Sequence, residues 1–187
     1  MRSLPVYVTP AEAHAMMAAA ENDKERLLIE LLWYTGGRIS EVLAVRAGDI
    51  TETGIILPAL KSRTRKNKHV ILPRAYLERL RELTKDLPAE AYLFPGRRGR
   101  MSRVTAWRIV KRCAEKAGVL KTGDWSKGLR PAWPHTLRHG YATALLMQRV
   151  PLTLVQRQLG HAEIKNTAIY TQIADPHAVE ILEEVKL

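Results

Sequence analysis

Apolar positions repeat at helical spacing along most of the chain and change to β-rich runs in one region. Thr9, Pro10 and Glu12 make a capping-box start, with the hydroxyl at the N-cap and proline at the first helical position. They predict a helix to about Ala20. A second helix starts near Asn22 or Asp23, with Leu27, Leu28, Leu31, Leu32 and Trp33 on its apolar face, and Gly36-Gly37 ends it. Ser40 can cap a short helix carrying Glu41, Val42, Leu43 and Val45. Ile55-Ile56-Leu57 and Val70-Ile71-Leu72 then flank the basic segment KSRTRKNKH, which predicts a hairpin with a long, positively charged tip.

From Arg74 to about Lys85 the pattern is that of an amphipathic helix, and YLFPGRRGR reads as a loop. Ser102 can cap a further helix that ends near Gly118. The segment KTGDWSKGLRPAWP has no period and leads as a loop into His135. Beyond it come a helix to about Gln148, a short one around Thr153 to Leu159 and another approaching Tyr170. The tail PHAVEILEEVKL predicts a last short helix. The expected fold is mostly α with a small antiparallel β-hairpin (α+β). At 187 residues without internal repeats, one domain spanning residues 1–187 is expected.

Charge changes this picture more than composition does. Thirty Lys and Arg against nineteen Asp and Glu leave a formal charge of +11, so an acidic polymer is the first partner to consider. The single cysteine, Cys113, excludes an internal disulfide and lies in a helical pattern, AWRIVKRCAEKAG, as core filler. No apolar run approaches the roughly 20 residues that span a bilayer, and the N-terminus lacks a signal-peptide pattern. A cytoplasmic location is expected, at the nucleoid when DNA is bound.

The candidate chemistry is concentrated late in the chain. His135 and Arg138 are three residues apart, His161 follows Gly160, and Tyr170 comes nine residues later. Phosphodiester cleavage by a side chain needs a nucleophile, cations for the non-bridging oxygens and a proton for the leaving alkoxide. Arg38 and Arg138 suit the second role, since a guanidinium binds phosphate bidentately and stays charged. Histidine can bind phosphate or move protons near neutral pH. A tyrosine can attack, although a free phenol with a pKa of about 10 needs cationic neighbours or a base. Any one of these residues alone would be an ordinary structural or solvated side chain.

Together, TGGRISEVLAVRAGDI around Arg38, HTLRHGYATALL around His135 and Arg138, and LGHAEIKNTAIY ending at Tyr170 resemble the tyrosine recombinase, or phage integrase, family. The resemblance covers nearly the whole chain. It implies that Tyr170 attacks the scissile phosphate to form a 3′-phosphotyrosine and that Arg38 and Arg138 bind the non-bridging oxygens. His135 would act as general base or phosphate ligand, and His161 would donate to the phosphate. Glu41 matches an acidic position that supports the site. Neither metal nor other cofactor is implied. The implied partners are double-stranded DNA carrying a specific recombination site and further copies of the chain, a tetramer on paired sites, with the tail docking on a neighbour.

The family also places a lysine on the hairpin as acid for the leaving oxygen. Counting forward from Arg38 favours positions 61 to 63, whereas aligning backward from Val70 to Pro73 puts Arg63 there, and arginine is a poor proton donor. Lys61 is therefore expected to fill this role, with Lys66 second. Arg63, Arg65, Lys66 and Lys68 on the hairpin, and Arg97, Arg98, Arg100 and Arg103 further on, are expected to track the DNA backbone. Trp125 and Trp133 either wall the site or pack, and Tyr141 reads as core. Family members often carry an N-terminal helical domain; here the catalytic pattern starts almost at Met1, so none is expected within these 187 residues, which are either a fragment or resemble the short single-domain members. The alternatives are a DNA-binding regulator that does no chemistry and a relaxing enzyme of the type IB topoisomerase kind.

Overall fold

The computed structural model describes residues 5–60, 67–97, 99–122 and 128–160. Helix α1 (Pro10–Ala18) starts on the expected capping box: Glu12 N–H donates to the Thr9 hydroxyl, and Thr9 N–H to the Glu12 carboxylate. α2 (Asp23–Thr35) is capped by Asn22 and ends at Gly36, whose φ of +54° is the left-handed conformation that glycine adopts without strain. The short α3 (Ile39–Val42) follows. Next comes an antiparallel ribbon, β1 (Gly54–Leu57) and β2 (Lys68–Ile71), paired from Gly54 with Ile71 to Leu57 with Lys68. α4 (Arg74–Thr84) leads to the ribbon β3 (Pro95–Gly96) and β4 (Gly99–Arg100). α5 (Arg103–Lys116), the ribbon β5 (Leu120–Lys121) and β6 (Arg130–Pro131), α6 (Pro134–Met147) and α7 (Leu152–Leu159) complete the described chain.

The mostly helical architecture with small antiparallel sheets is the expected one, and the differences from expectation are local. β2 begins two residues before Val70, and Leu72 leaves the ladder while its N–H still reaches the Thr53 carbonyl at 3.1 Å. α3 begins before Ser40, with Arg38 at the cap position, because the Glu41 carboxylate turns back to accept the Arg38 N–H at 2.9 Å. Two ribbons occupy segments expected as loops, since strands of two residues are too short to show an alternating pattern. The helices expected beyond Gly160 lie outside the described residues.

One main core fills the space between α1, α2, α5 and α6, built on Met16, Leu28, Leu31, Leu32, Val110, Cys113 and Leu137. Cys113 is fully buried, as expected, and burial pushes its thiol up to about 11. A second cluster of Ala142, Val155 and Leu159, with Tyr141 against it, joins α6 to α7. The hairpin is tied to α7 through Ile71 N–H, which donates to the Gln158 side chain at 3.3 Å.

The seat of α6 matters most for the site. Val8 N–H donates to the Thr136 carbonyl at 3.0 Å, so the segment ahead of α1 lies on the first turn of α6. Gly140 allows this approach, since a Cβ there would sit 2.0 Å from the Val8 carbonyl oxygen and 2.8 Å from the Trp33 ring. Backbone cannot yield as a side chain does. Gly140→Ala should lose about 1–3 kcal/mol of stability, measured by urea denaturation.

Candidate active site

Arg138 is the most buried cation of the site, at 4% exposure on the core side of α6. Its Nη1 donates to the Gly36 carbonyl at 2.5 Å and its Nη2 to the Leu159 carbonyl at 2.9 Å. Both acceptors belong to helix C-terminal turns, where carbonyls lack intrahelical partners and the dipole favours positive charge. One guanidinium therefore joins the ends of α2 and α7. Pro134 at the first helical position and the Thr136 hydroxyl, which accepts the Trp133 N–H at 3.1 Å, start α6 so that Arg138 faces inward.

Arg38 follows the glycine turn at the end of α2. Its Nη1 donates to Glu41 at 2.8 Å, and its own N–H is held by the other oxygen of the same carboxylate. Burial on its own would push the Glu41 carboxyl up. The Arg38 backbone and guanidinium, and the charge of Lys68, outweigh burial and hold it below the usual value. Glu41 stays ionised and fixes Arg38.

Lys68, expected on the DNA-tracking hairpin, is half-buried and turned inward. Its Nζ approaches the Leu159 carbonyl at 3.4 Å, the same oxygen that Arg138 engages. Burial first, and then the like charges of Arg138 and Arg38, bring its pKa from 10.5 down to about 7, with Glu41 opposing. The signal for this placement is the period of two. Lys68 lies two residues before the buried Val70, while His69 and Ile71 on the other face are exposed.

His135, exposed at the start of α6, shares a cleft of about 420 Å³ with Arg38, Ile39, Ser40, Arg103, Val104 and Trp107. Arg38, Arg138, His135 and Lys68, the last expected to face the DNA backbone and not this junction, are thus gathered where α2, α6, α7 and the hairpin meet. His139, one turn beyond His135, is held down at about 4 by burial, His135 and Arg138, and so stays neutral at physiological pH. Arg97, Arg100 and Arg103 are exposed, as a backbone-tracking role requires. Trp133 is half-buried, with the Arg130 guanidinium 4.2 Å above its ring centre. Tyr141 packs against the α6–α7 cluster, and burial pushes its phenol up to about 12, away from nucleophile duty. Lys61, Arg63, Arg65, Lys66, Arg98, Trp125, His161 and Tyr170 lie outside the described residues. Among the described residues no helix is long and apolar enough to cross a membrane.

Comparison with known proteins meets the same blocks. The model of the phage integrase family matches residues 7–177. The tyrosine recombinase XerA of Pyrococcus horikoshii is 30% identical over 193 residues, which take in 100% of this chain and 63% of that protein. The chain therefore spans less than two thirds of that relative's length. A crystal structure of XerA recombinase superposes with a TM-score of 0.74 at 25% identity, covering 99% of this chain and 68% of the other. The XerH site-specific recombinase, bound to its difH substrate in a pre-cleavage complex, gives 0.70 at 28% identity, with 90% of this chain and 50% of the other covered.

Proposed function

The chain belongs to the phage integrase family, and from that premise we propose that residues 1–187 are the catalytic domain of a tyrosine-type site-specific DNA recombinase. The observation that carries this reading is the convergence of Arg38, Arg138 and Lys68 on one junction beside His135. Three cations, Arg38 paired with Glu41 and Lys68 and Arg138 meeting at the Leu159 carbonyl, suit a phosphodiester, whose non-bridging oxygens gain charge as the phosphorus is attacked. A related recombinase is held with its DNA substrate in a pre-cleavage complex, which supports duplex DNA as the partner.

In this mechanism the Tyr170 oxygen attacks the scissile phosphorus, and the bond to the 5′-oxygen breaks. Arg38 and Arg138 neutralise and donate to the non-bridging oxygens, and His161 donates to the phosphate. His135 takes the phenol proton or binds the phosphate. Lys68 gives its proton to the departing 5′-oxygen, a task suited to an amine with a pKa near 7. A 5′-hydroxyl from the partner duplex reverses the steps on the 3′-phosphotyrosine, so the bond energy is conserved. Lys61 remains the alternative acid from the family pattern, and the leaving-group experiment in the Discussion separates the two. Exchange between two duplexes, each cut on both strands, calls for four copies of the chain on paired sites.

The test is a nicked suicide substrate bearing the cognate site, followed by denaturing electrophoresis. A covalent protein–DNA band should form with the wild type and vanish in Tyr170→Phe. A wild-type protein that binds a verified site without forming the adduct would sink the proposal. The charge of this surface adds a second expectation. If six to ten of its cations contact phosphates, affinity measured by fluorescence anisotropy should fall roughly 10³- to 10⁵-fold between 50 and 200 mM salt.

A further inference from the structure

Trp107 is not used by the chemistry above, yet 46% of it is exposed, beside Val104 at 59%. It lines the cleft shared with Arg38 and His135, and also a second cleft of about 380 Å³ with Lys111, Arg130, Pro131 and Trp133. The two clefts adjoin at the Trp107 ring. Arg103, Trp107 and Lys111 recur at four-residue spacing and so share one face of α5, opposite the buried Ala106, Val110 and Cys113. Cations stand beside both indoles, with the Lys111 ammonium 5.8 Å from the Trp107 ring centre and the Arg130 guanidinium over Trp133. Lys111 also reaches Glu115 at 3.4 Å, and both of those side chains remain accessible.

We propose that this aromatic and cationic groove is a binding subsite for unpaired nucleotides of the DNA strand that carries the free 5′-hydroxyl. The inference rests on the strand-transfer reading. Exchange requires that nucleotides beside the cut leave their complement before pairing with the partner duplex, and their base faces are then exposed to water. The exposed Trp107 indole, flanked by Lys111 and by the Arg130 guanidinium that covers Trp133, matches such nucleotides, since a base stacks on the open ring and phosphates meet the cations. A closed duplex presents no free base face to an indole. The groove opens on Arg38 and His135, so a strand held there stays next to the phosphate it must rejoin.

The experiment starts from the preformed covalent adduct and measures single-turnover transfer to an incoming 5′-hydroxyl strand whose terminal bases are intact or abasic. Removing the bases should slow wild-type transfer on the order of 10-fold. Trp107→Ala should slow transfer of the intact strand by a similar factor and become indifferent to base removal, while Trp107→Phe restores the discrimination. Losses from base removal and from Trp107→Ala that simply multiply would overturn the subsite. So would a loss in Trp107→Ala that follows base-pair identity in an intact duplex. Because the adduct is isolated first, its failure to form counts against the recombinase reading and not against the groove.

Discussion

Arg138→Ala is expected to lower the rate of covalent adduct formation roughly 10²- to 10³-fold, the usual effect of removing one preorganised donor from a developing phosphorane. The same change leaves the buried Gly36 carbonyl without the guanidinium and the Leu159 carbonyl with Lys68 as its remaining side-chain donor. One such orphan costs about 1–3 kcal/mol, so urea denaturation should show a loss of stability beside the loss of rate. Arg138→Lys separates the two effects. An ammonium keeps the charge but is a point donor, not a fork that spans two helix ends. Its stability should fall nearly as far as in the alanine variant, while part of the cleavage rate returns. Cleavage equal to wild type in Arg138→Ala, with a folded protein, would remove Arg138 from the phosphate site.

The helices were legible because capping signals and apolar periods mark them locally. Thr9, Pro10 and Glu12, the leucines of α2, and Ser102 of α5 all lie where the expected elements form. The ribbons β3–β4 and β5–β6 were not, because two-residue strands follow from tertiary packing and not from local propensity. Within the site, the order of the three sequence blocks brought Arg38, His135 and Arg138 to notice although about a hundred residues separate the first from the others. Lys68 was read as a DNA-facing cation, and its inward turn was not legible for a physical reason. In a run as basic as KSRTRKNKH, charge says nothing about which lysine turns inward. The direction is set by the register of β2 and by its docking on α7 through Gln158.

That inward turn makes Lys68→Ala the second large effect, expected to slow cleavage of an ordinary phosphodiester roughly 10²- to 10⁴-fold. With a 5′-bridging phosphorothiolate the leaving group hardly needs a proton, and Lys68→Ala should recover most of the wild-type rate. Recovery in Lys61→Ala in place of Lys68→Ala would move the acid to Lys61. The pH dependence follows from the same lysine. With a pKa near 7 in the free protein, the protonated acid is lost above that pH. At subsaturating DNA, wild-type cleavage should fall about tenfold per pH unit beyond it. A bound phosphate adds negative charge beside the ammonium, so the inflection should move upward at saturating DNA. Stability has the opposite sign. Between about 7 and 10.5 the unfolded chain holds the proton that folded Lys68 has released, so this residue favours folding increasingly as pH rises through that window. Cleavage that falls while the protein becomes no less stable would identify titration of the acid, and in Lys68→Ala the inflection should disappear.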